Sequence, residues 1–257
     1  MSIRLRSGGL SFSAYDPSVS ESFVYRDMEF DRSKPYVAAL KDCFFENEFF
    51  AWPYRRINVI FAFSRYQLVP EEVFLDSRKG KLMDFAFSSF SGHCLSNAWK
   101  EEQAMLVFEV EEEIYEFCSR SLVNPRFIHY LSPLLPLWKR LSRRSESRQM
   151  YAMLSGRRMD IACYAQGNLL FVNTFDYEQP DDLLYYILYV WKQTGMDPQK
   201  DRLRLSGDMT LRTHVVNALR TYLLYIDPLE MPSEAYLMGP EVLQAPLDLI
   251  ALSLCES

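Results

Sequence analysis

The succession of hydrophobic periods in this chain runs through once and then starts again. Residues 2–63 alternate apolar and polar side chains through three short runs, change to a helical period, and end on a continuous apolar run. From residue 150 the same succession returns. A chain that writes one series of elements twice is restricted to folds built from two like units, because each series must bury its own apolar faces.

In the first series Ile3 and Leu5 face one way and Arg4 and Arg6 the other. Gly8-Gly9 supplies a positive-φ turn, and Leu10, Phe12 and Ala14 resume the alternation, which predicts a hairpin. A third strand-like run covers Phe23 to Phe30. After Ser33-Lys34-Pro35 the spacing predicts a helix with Val37, Leu40 and Phe44 on one face, and Phe45 as an open fourth. Ile57 to Phe63 is β-branched and aromatic almost throughout, which suits a parallel strand covered on both faces. Residues 64–110 interrupt the series as a small inserted unit. Val69 to Phe74 reads there as a short helix with Pro70 in its first turn, followed by a polar stretch and strands at 93–99 and 104–109. A helix over 111–122, a strand over 126–131 and a helix from Pro133 complete the first half. The apolar pattern stops among Lys139, Arg140, Arg143, Arg144 and Arg148, so the expected domains are 1–145 and 146–257.

The second series opens on strand Met150 to Leu154, turn Ser155-Gly156-Arg157, strand Met159 to Ala165, turn Gly167-Asn168 and strand Leu169 to Phe175. A helix from Pro180 to Thr194 ends at Gly195. A short strand, Leu203 to Ser206, ends at Gly207-Asp208. Asp208 caps a helix presenting Leu211, Val215, Leu219 and Leu223, and Tyr222 to Ile226 returns as a strand. The order is βββαβαβ. The expected class is therefore α/β, two tandem domains, each a mixed sheet with an antiparallel leading hairpin and parallel strands joined by crossover helices. The proline-bearing tail from Pro228 reads as a strap of the second domain ending in a short helix over Leu247 to Leu254.

Composition removes several chemistries. With 28 basic against 34 acidic residues the net charge is −6, the reverse of what releasing counterions from nucleic acid requires. The basic cluster from Lys139 to Arg148 keeps contact with RNA open as a second alternative. The N-terminus lacks the apolar core of an export signal, and the longest apolar run, Leu183 to Trp191, is too short to span a bilayer, so a cytoplasmic protein without membrane insertion is expected. Cys43, Cys94, Cys118, Cys163 and Cys255 stand far apart and read as small buried hydrophobes in a reducing compartment. His93, His129 and His214 have no ligand neighbours in sequence, so no metal and no cofactor is expected. Glu109, Glu111, Glu112, Glu113 and Glu116 suit the start of a helix. Leu183 to Trp191 is apolar on nearly every side and must be covered, either between domains or by a protein partner.

Ile3-Arg4-Leu5-Arg6-Ser7-Gly8-Gly9-Leu10-Ser11-Phe12-Ser13, the segment from Phe61-Ala62-Phe63 to Val73-Phe74, and Phe127-Ile128-His129-Tyr130-Leu131-Ser132-Pro133-Leu134 resemble an uncharacterised bacterial family, a domain of unknown function with an actin-like ATPase (ribonuclease H-like) fold. The likeness covers all but the C-terminal tail and implies a fold without an activity. In active members of that superfamily a Gly-rich turn holds phosphate through backbone N–H groups, and an Asp ending the first strand arranges a metal and its water. The matching positions here are Gly8 and Gly9 in the first hairpin, Ser155, Gly156 and Arg157 in the second, and Gly207 and Asp208 where the family carries two glycines beneath adenine. Arg4 and Arg6 stand where the Asp is sought, Arg157 and Arg158 crowd the second turn, and Asp208 places a carboxylate where phosphates would be repelled. Asp160 is a stray candidate acid in an alternating strand that fits an exposed position equally well. The resemblance thus implies a degenerate nucleotide cleft and a non-catalytic scaffold acting through an unknown protein partner. A true ATP-dependent switch or a sugar-kinase-like enzyme is the alternative.

Overall fold

The structure, a computed structural model, describes residues 1–62, 65–87 and 92–256. Its contacts divide the chain into two compact units: Met1–Pro133 together with Ser233–Ser257, and Leu134–Pro232. The C-terminal segment, expected to strap the second domain, belongs instead to the first unit. The division falls earlier than the expected 145/146, inside a helix.

In the first unit β1 (Ser2–Arg6) and β2 (Gly9–Ala14) form the hairpin, and β3 (Val24–Glu29) pairs antiparallel with β2. β4 (Asn58–Phe61) lies parallel to β1, and β8 (Arg126–His129) parallel to β4, giving the order β3-β2-β1-β4-β8. Register puts Ile3 beside Phe12 and Val59, and Leu5 beside Leu10 and Phe61, so period-2 alternation becomes one continuous apolar face. Phe12 packs on Phe49 and Phe50, and Phe50 stacks on Phe44 of α1 (Tyr36–Glu46) with ring centroids 4.3 Å apart. Helix α1 buries Val37, Ala39, Leu40 and Cys43, while Phe45 is 93% exposed: five residues beyond Leu40, it sits about 140° round the helix from that face. All four residues of β4 are buried, as a strand covered on both faces requires. Phe63, the expected end of that strand, lies outside the described residues.

The inserted region forms its own three-stranded sheet, β5-β7-β6, from β5 (Tyr66–Pro70), β6 (His93–Trp99) and β7 (Ala104–Val110). The helix expected from Val69 is a strand leading into a single 3-10 turn, Glu71–Val73, because Val69 pairs with Met105 in the ladder. The polar stretch contains α2 (Lys79–Ala86), whose Met83 closes a small core with Val69, Cys94 and Val107. Helix α3 (Glu112–Ser121) and helix α4 (Leu131–Ser142) flank β8 in sequence.

In the second unit β9 (Gln149–Ser155), β10 (Arg158–Ala165) and β11 (Asn168–Asp176) are antiparallel neighbours. β12 (Arg202–Gly207) lies parallel to β9, and β13 (Tyr225–Pro228) parallel to β12, in the order β11-β10-β9-β12-β13. Helices α5 (Pro180–Gln193) and α6 (Met209–Leu219) lay Leu183, Ile187, Val190, Val215 and Leu219 against Met150, Ala152, Ile161 and Leu203. Each such side chain, fully withdrawn from water, contributes roughly 1.5–3 kcal/mol. Helix α5 is not covered all round. Tyr185 and Tyr189 are 63% and 47% exposed, while Leu183, Ile187, Val190 and Trp191 are buried in the core and Leu184, Tyr186 and Leu188 pack against it half-buried. Beyond β13 the chain makes two 3-10 turns, Ser233–Met238 and Pro240–Gln244, and ends in α7 (Leu247–Glu256). No helix of the described residues is long and apolar enough to cross a membrane.

Candidate functional site

Five of the seven candidate residues come together at the carboxyl ends of β9 and β12. Leu154 closes the buried part of β9, and its carbonyl accepts the Asp208 N–H at 2.9 Å. Gly207 sits against that same carbonyl with φ +89°, and a Cβ on it would lie 1.9 Å from the Leu154 oxygen. Both the angle and the approach demand glycine. Gly156, with φ +58°, has nothing within 4 Å of a would-be Cβ, so the turn Ser155-Gly156-Arg157 needs glycine for its conformation only. Tyr177 clamps the turn: its N–H donates to the Arg157 carbonyl at 3.0 Å and its hydroxyl donates to the Gly156 carbonyl. Burial, then the nearby Asp208, push the Tyr177 phenol up, against the pull of Arg157, so it stays a neutral donor.

Asp208 is the N-cap of α6, and its carboxylate accepts the Leu211 N–H at 2.9 Å. The first turn of α6 thus already holds a negative group of its own. Asp160 is 2% exposed rather than free at the surface; it accepts from the Thr174 hydroxyl at 2.6 Å across the strand pair. Arg158 lies 3.6 Å from Asp176.

Gly8 and Gly9 belong to the first unit. Only Gly8 has a positive φ, +80°, and its carbonyl accepts from Phe30 N–H at 2.8 Å. Gly9, expected in the turn, is the first residue of β2, where a Cβ would lie 2.3 Å from the Met28 carbonyl oxygen; it is glycine for close approach. The arginines of β1 are engaged. Arg4 donates to Asp248 at 2.5 Å with both side chains buried, and Arg6 bridges Asp27 at 2.8 Å and Glu29 at 2.6 Å. Burial raises the Asp27 carboxyl, but the Ser11 hydroxyl and Arg6 outweigh it and hold the group below its ordinary value. Sequence reasoning missed Asp248. The signal was a single acid inside the apolar run Pro246 to Leu254, since a charge buried with its helix face needs a partner.

The other clusters resolve into separate structural duties. His93 stacks on Tyr115 at 3.7 Å, His214 lies 3.0 Å from Asp181, and His129 is buried beside Tyr66 and Phe108. Of the five cysteines four are buried and Cys255 is exposed. Glu109 pairs with Arg65, and Glu116 with Arg120 at 3.0 Å. The basic run does not form one surface: Lys139 is buried, and Arg148 caps α5 through the Thr194 and Gly195 carbonyls at 2.6 and 2.9 Å. Among the described residues no group of three or more His, Cys, Asp or Glu is placed to hold a metal ion.

Mixed sheets with these strand-end turns are those of proteins with an actin-like ATPase fold. A protein of that fold and of unknown function from Bacteroides thetaiotaomicron superposes with a TM-score of 0.83 at 28% identity, over 97% of this chain and 94% of its own. A PilM–PilN type IV pilus biogenesis complex matches with a TM-score of 0.52 at 14% identity over 98% of this chain and 97% of that one, a likeness of fold alone. Residues 1–226 match the family described as protein of unknown function (DUF3822), and the chain belongs to that family. No curated protein matches it.

Proposed function

We propose that this chain is a non-catalytic actin-like scaffold or regulatory protein, built from two ribonuclease H-like domains, whose nucleotide site is degenerate and which acts in the cytoplasm by contact with another protein. The observation that carries the reading is Asp208. The amide of Leu211 is already taken by the Asp208 carboxylate, so an arriving phosphate meets a like charge at the helix end that would otherwise attract it. Support comes from the first hairpin, where Arg4 and Arg6 are spent on internal carboxylates. Exposed aromatic surface on α5, Tyr185 stacked on Tyr189 with centroids 5.9 Å apart, suits a protein contact. The pilus neighbour, whose structure is of a complex of two proteins, is an analogy for such a role.

Thermal unfolding with millimolar Mg-ATP tests the reading, because a ligand selective for the folded state must raise Tm. No shift is expected. A saturable rise in Tm, or steady release of phosphate, overturns the proposal in favour of the ATPase-like switch.

A further inference from the structure

Toward the other ends of the same strands, with Arg204 three residues from Gly207 and Tyr151 four from Ser155, about 10–13 Å along the strands, the second unit contains a cavity of about 400 Å³. That volume is in the range of small-molecule sites. Three guanidinium groups line it: Arg202 and Arg204 from β12, and Arg144 from just beyond α4. Tyr151 and Gln149, both from β9, line it as well, and Leu141 and Leu229 add apolar wall.

The charges are incompletely matched. Asp227 accepts from Arg202 at 3.1 Å and lies 3.2 Å from the Arg204 guanidinium, so one carboxylate serves two cations. Arg144 has no ion-pair partner among the described residues, and Glu230 is the one acid on the lining. Three cations face two anions, which leaves one positive charge to be answered.

The arginines are also held in place. Arg202 lies over the Tyr225 ring at 4.5 Å, and Arg204 Nε donates to the Gln149 side-chain oxygen at 3.3 Å. Gln149 is buried and fixed in turn by its amide, which donates to the Ser145 hydroxyl at 3.0 Å and the Ser147 hydroxyl at 2.9 Å. Such fixed forks match carboxylate and phosphate oxygens. The second observation is Tyr151. It is 2% exposed and stacked on Trp138, yet its hydroxyl bonds none of the described residues. The hydroxyl opens on the cavity that Tyr151 lines, where it can donate to a bound acceptor.

We propose that this cavity binds a small singly or doubly charged organic anion, a carboxylate or a phosphate ester with an apolar body, gripped by Arg144, Arg202 and Arg204 and receiving a hydrogen bond from Tyr151. The apolar body lies along Leu141 and Leu229. The site is separate from the degenerate nucleotide site and does not depend on it.

Calorimetric titration of the full chain with benzoate, phenyl phosphate, inorganic phosphate and phenol tests the proposal. Benzoate or phenyl phosphate is expected to bind saturably at millimolar concentration or below, and more tightly than inorganic phosphate. Phenol is expected to give no saturable heat. Which of the two organic anions binds more tightly assigns the head group. Arg144→Glu, at an exposed position without a partner, keeps the fold and is expected to weaken binding at least tenfold; Tyr151→Phe, which keeps the ring, weakens it several-fold. No saturable binding by either organic anion overturns the proposal, as does unchanged affinity in Arg144→Glu or binding of phenol as tight as that of benzoate.

Discussion

In the first sheet the face of β1 turned away from Ile3 and Leu5 carries Ser2, Arg4 and Arg6 and answers them with Ser11, Asp27, Glu29 and Asp248. In the second sheet the corresponding face of β9 carries Tyr151, stacked on Trp138 of α4, and its neighbour Tyr164 donates to the Leu135 carbonyl at 3.0 Å. One strand order is thus completed by different chemistry beside its first strand: a buried ion pair at β1, and stacked aromatic rings at β9, where the ion pairs of Arg202 and Arg204 with Asp227 stay half-exposed on the neighbouring strands. Alternation and hairpin turns fix which strands pair, while the covering element decides what the second face must be made of. The two solutions fail differently. An aromatic face shortened by one group leaves a cavity, whereas an ionic face deprived of one partner leaves a charge buried in a medium that cannot solvate it.

The largest effect is expected where the ionic solution is broken. Asp248→Ala strands Arg4 and should cost about 3–5 kcal/mol in equilibrium urea unfolding, the range for removing one member of a buried pair. Arg4→Met with Asp248→Leu removes both charges and should recover most of that loss. If the double variant is no more stable than the single one, the pair is not what secures α7 in the first unit.

The glycines give the next effect and separate conformation from room. Gly207→Ala meets both an unfavourable φ and the Leu154 carbonyl, and should cost more than about 2 kcal/mol, since the left-handed conformation alone costs about 1–2 kcal/mol. Gly156→Ala meets only the angle and should stay within that lower range. Equal losses in chemical denaturation would mean that the β12 end yields to the added methyl.

Legibility followed the same division. Alternation at Ile3 to Leu10 and at Met150 to Met159, with the turn glycines between, was enough to place both hairpins, and the Asp208 cap was readable because an acid before an apolar helical period has few other uses. Local signals failed where distant partners decided. Nothing near Val69 announces that Met105 will pair with it, so a Pro-Glu-Glu sequence read as a helix start became a strand end and a 3-10 turn. Nothing near Arg4 names Asp248, 244 positions away. Gly9 was legible as a glycine site but for the wrong reason, since close approach of Met28 is a tertiary fact.

Alkali distinguishes the units through their thiols. Burial pushes Cys43 and Cys94 up to about 11 and Cys118 and Cys163 up to about 12, from an ordinary value of 9.0. Between pH 9 and 12 the folded state therefore holds protons that the unfolded state has released, so stability present below pH 9 is lost as pH rises through that window. Three of the four thiols lie in the first unit and only Cys163 in the second. Hydrogen exchange followed upward from pH 9 should show α1, β6 and α3, which carry Cys43, Cys94 and Cys118, losing protection before β9 and β10. Simultaneous loss in both units would show that the thiols do not set the order. At pH 8 a small alkylating reagent should modify Cys255 and spare the other four.

The smallest effects are expected at the aromatic residues each unit leaves outside its core. Phe45 of α1 and Tyr189 of α5 lie on helices whose opposite faces are buried, so their rings add little that folding withdraws from water. Phe45→Ser and Tyr189→Ser should each change stability by no more than about 0.5 kcal/mol, as surface substitutions do. Helix propensity barely enters, because serine and these aromatics rank close together. A loss above about 1.5 kcal/mol at Tyr189, with none at Phe45, would mean that the stack of Tyr185 on Tyr189 supports α5 itself, and the exposed ring could no longer be assigned to a partner.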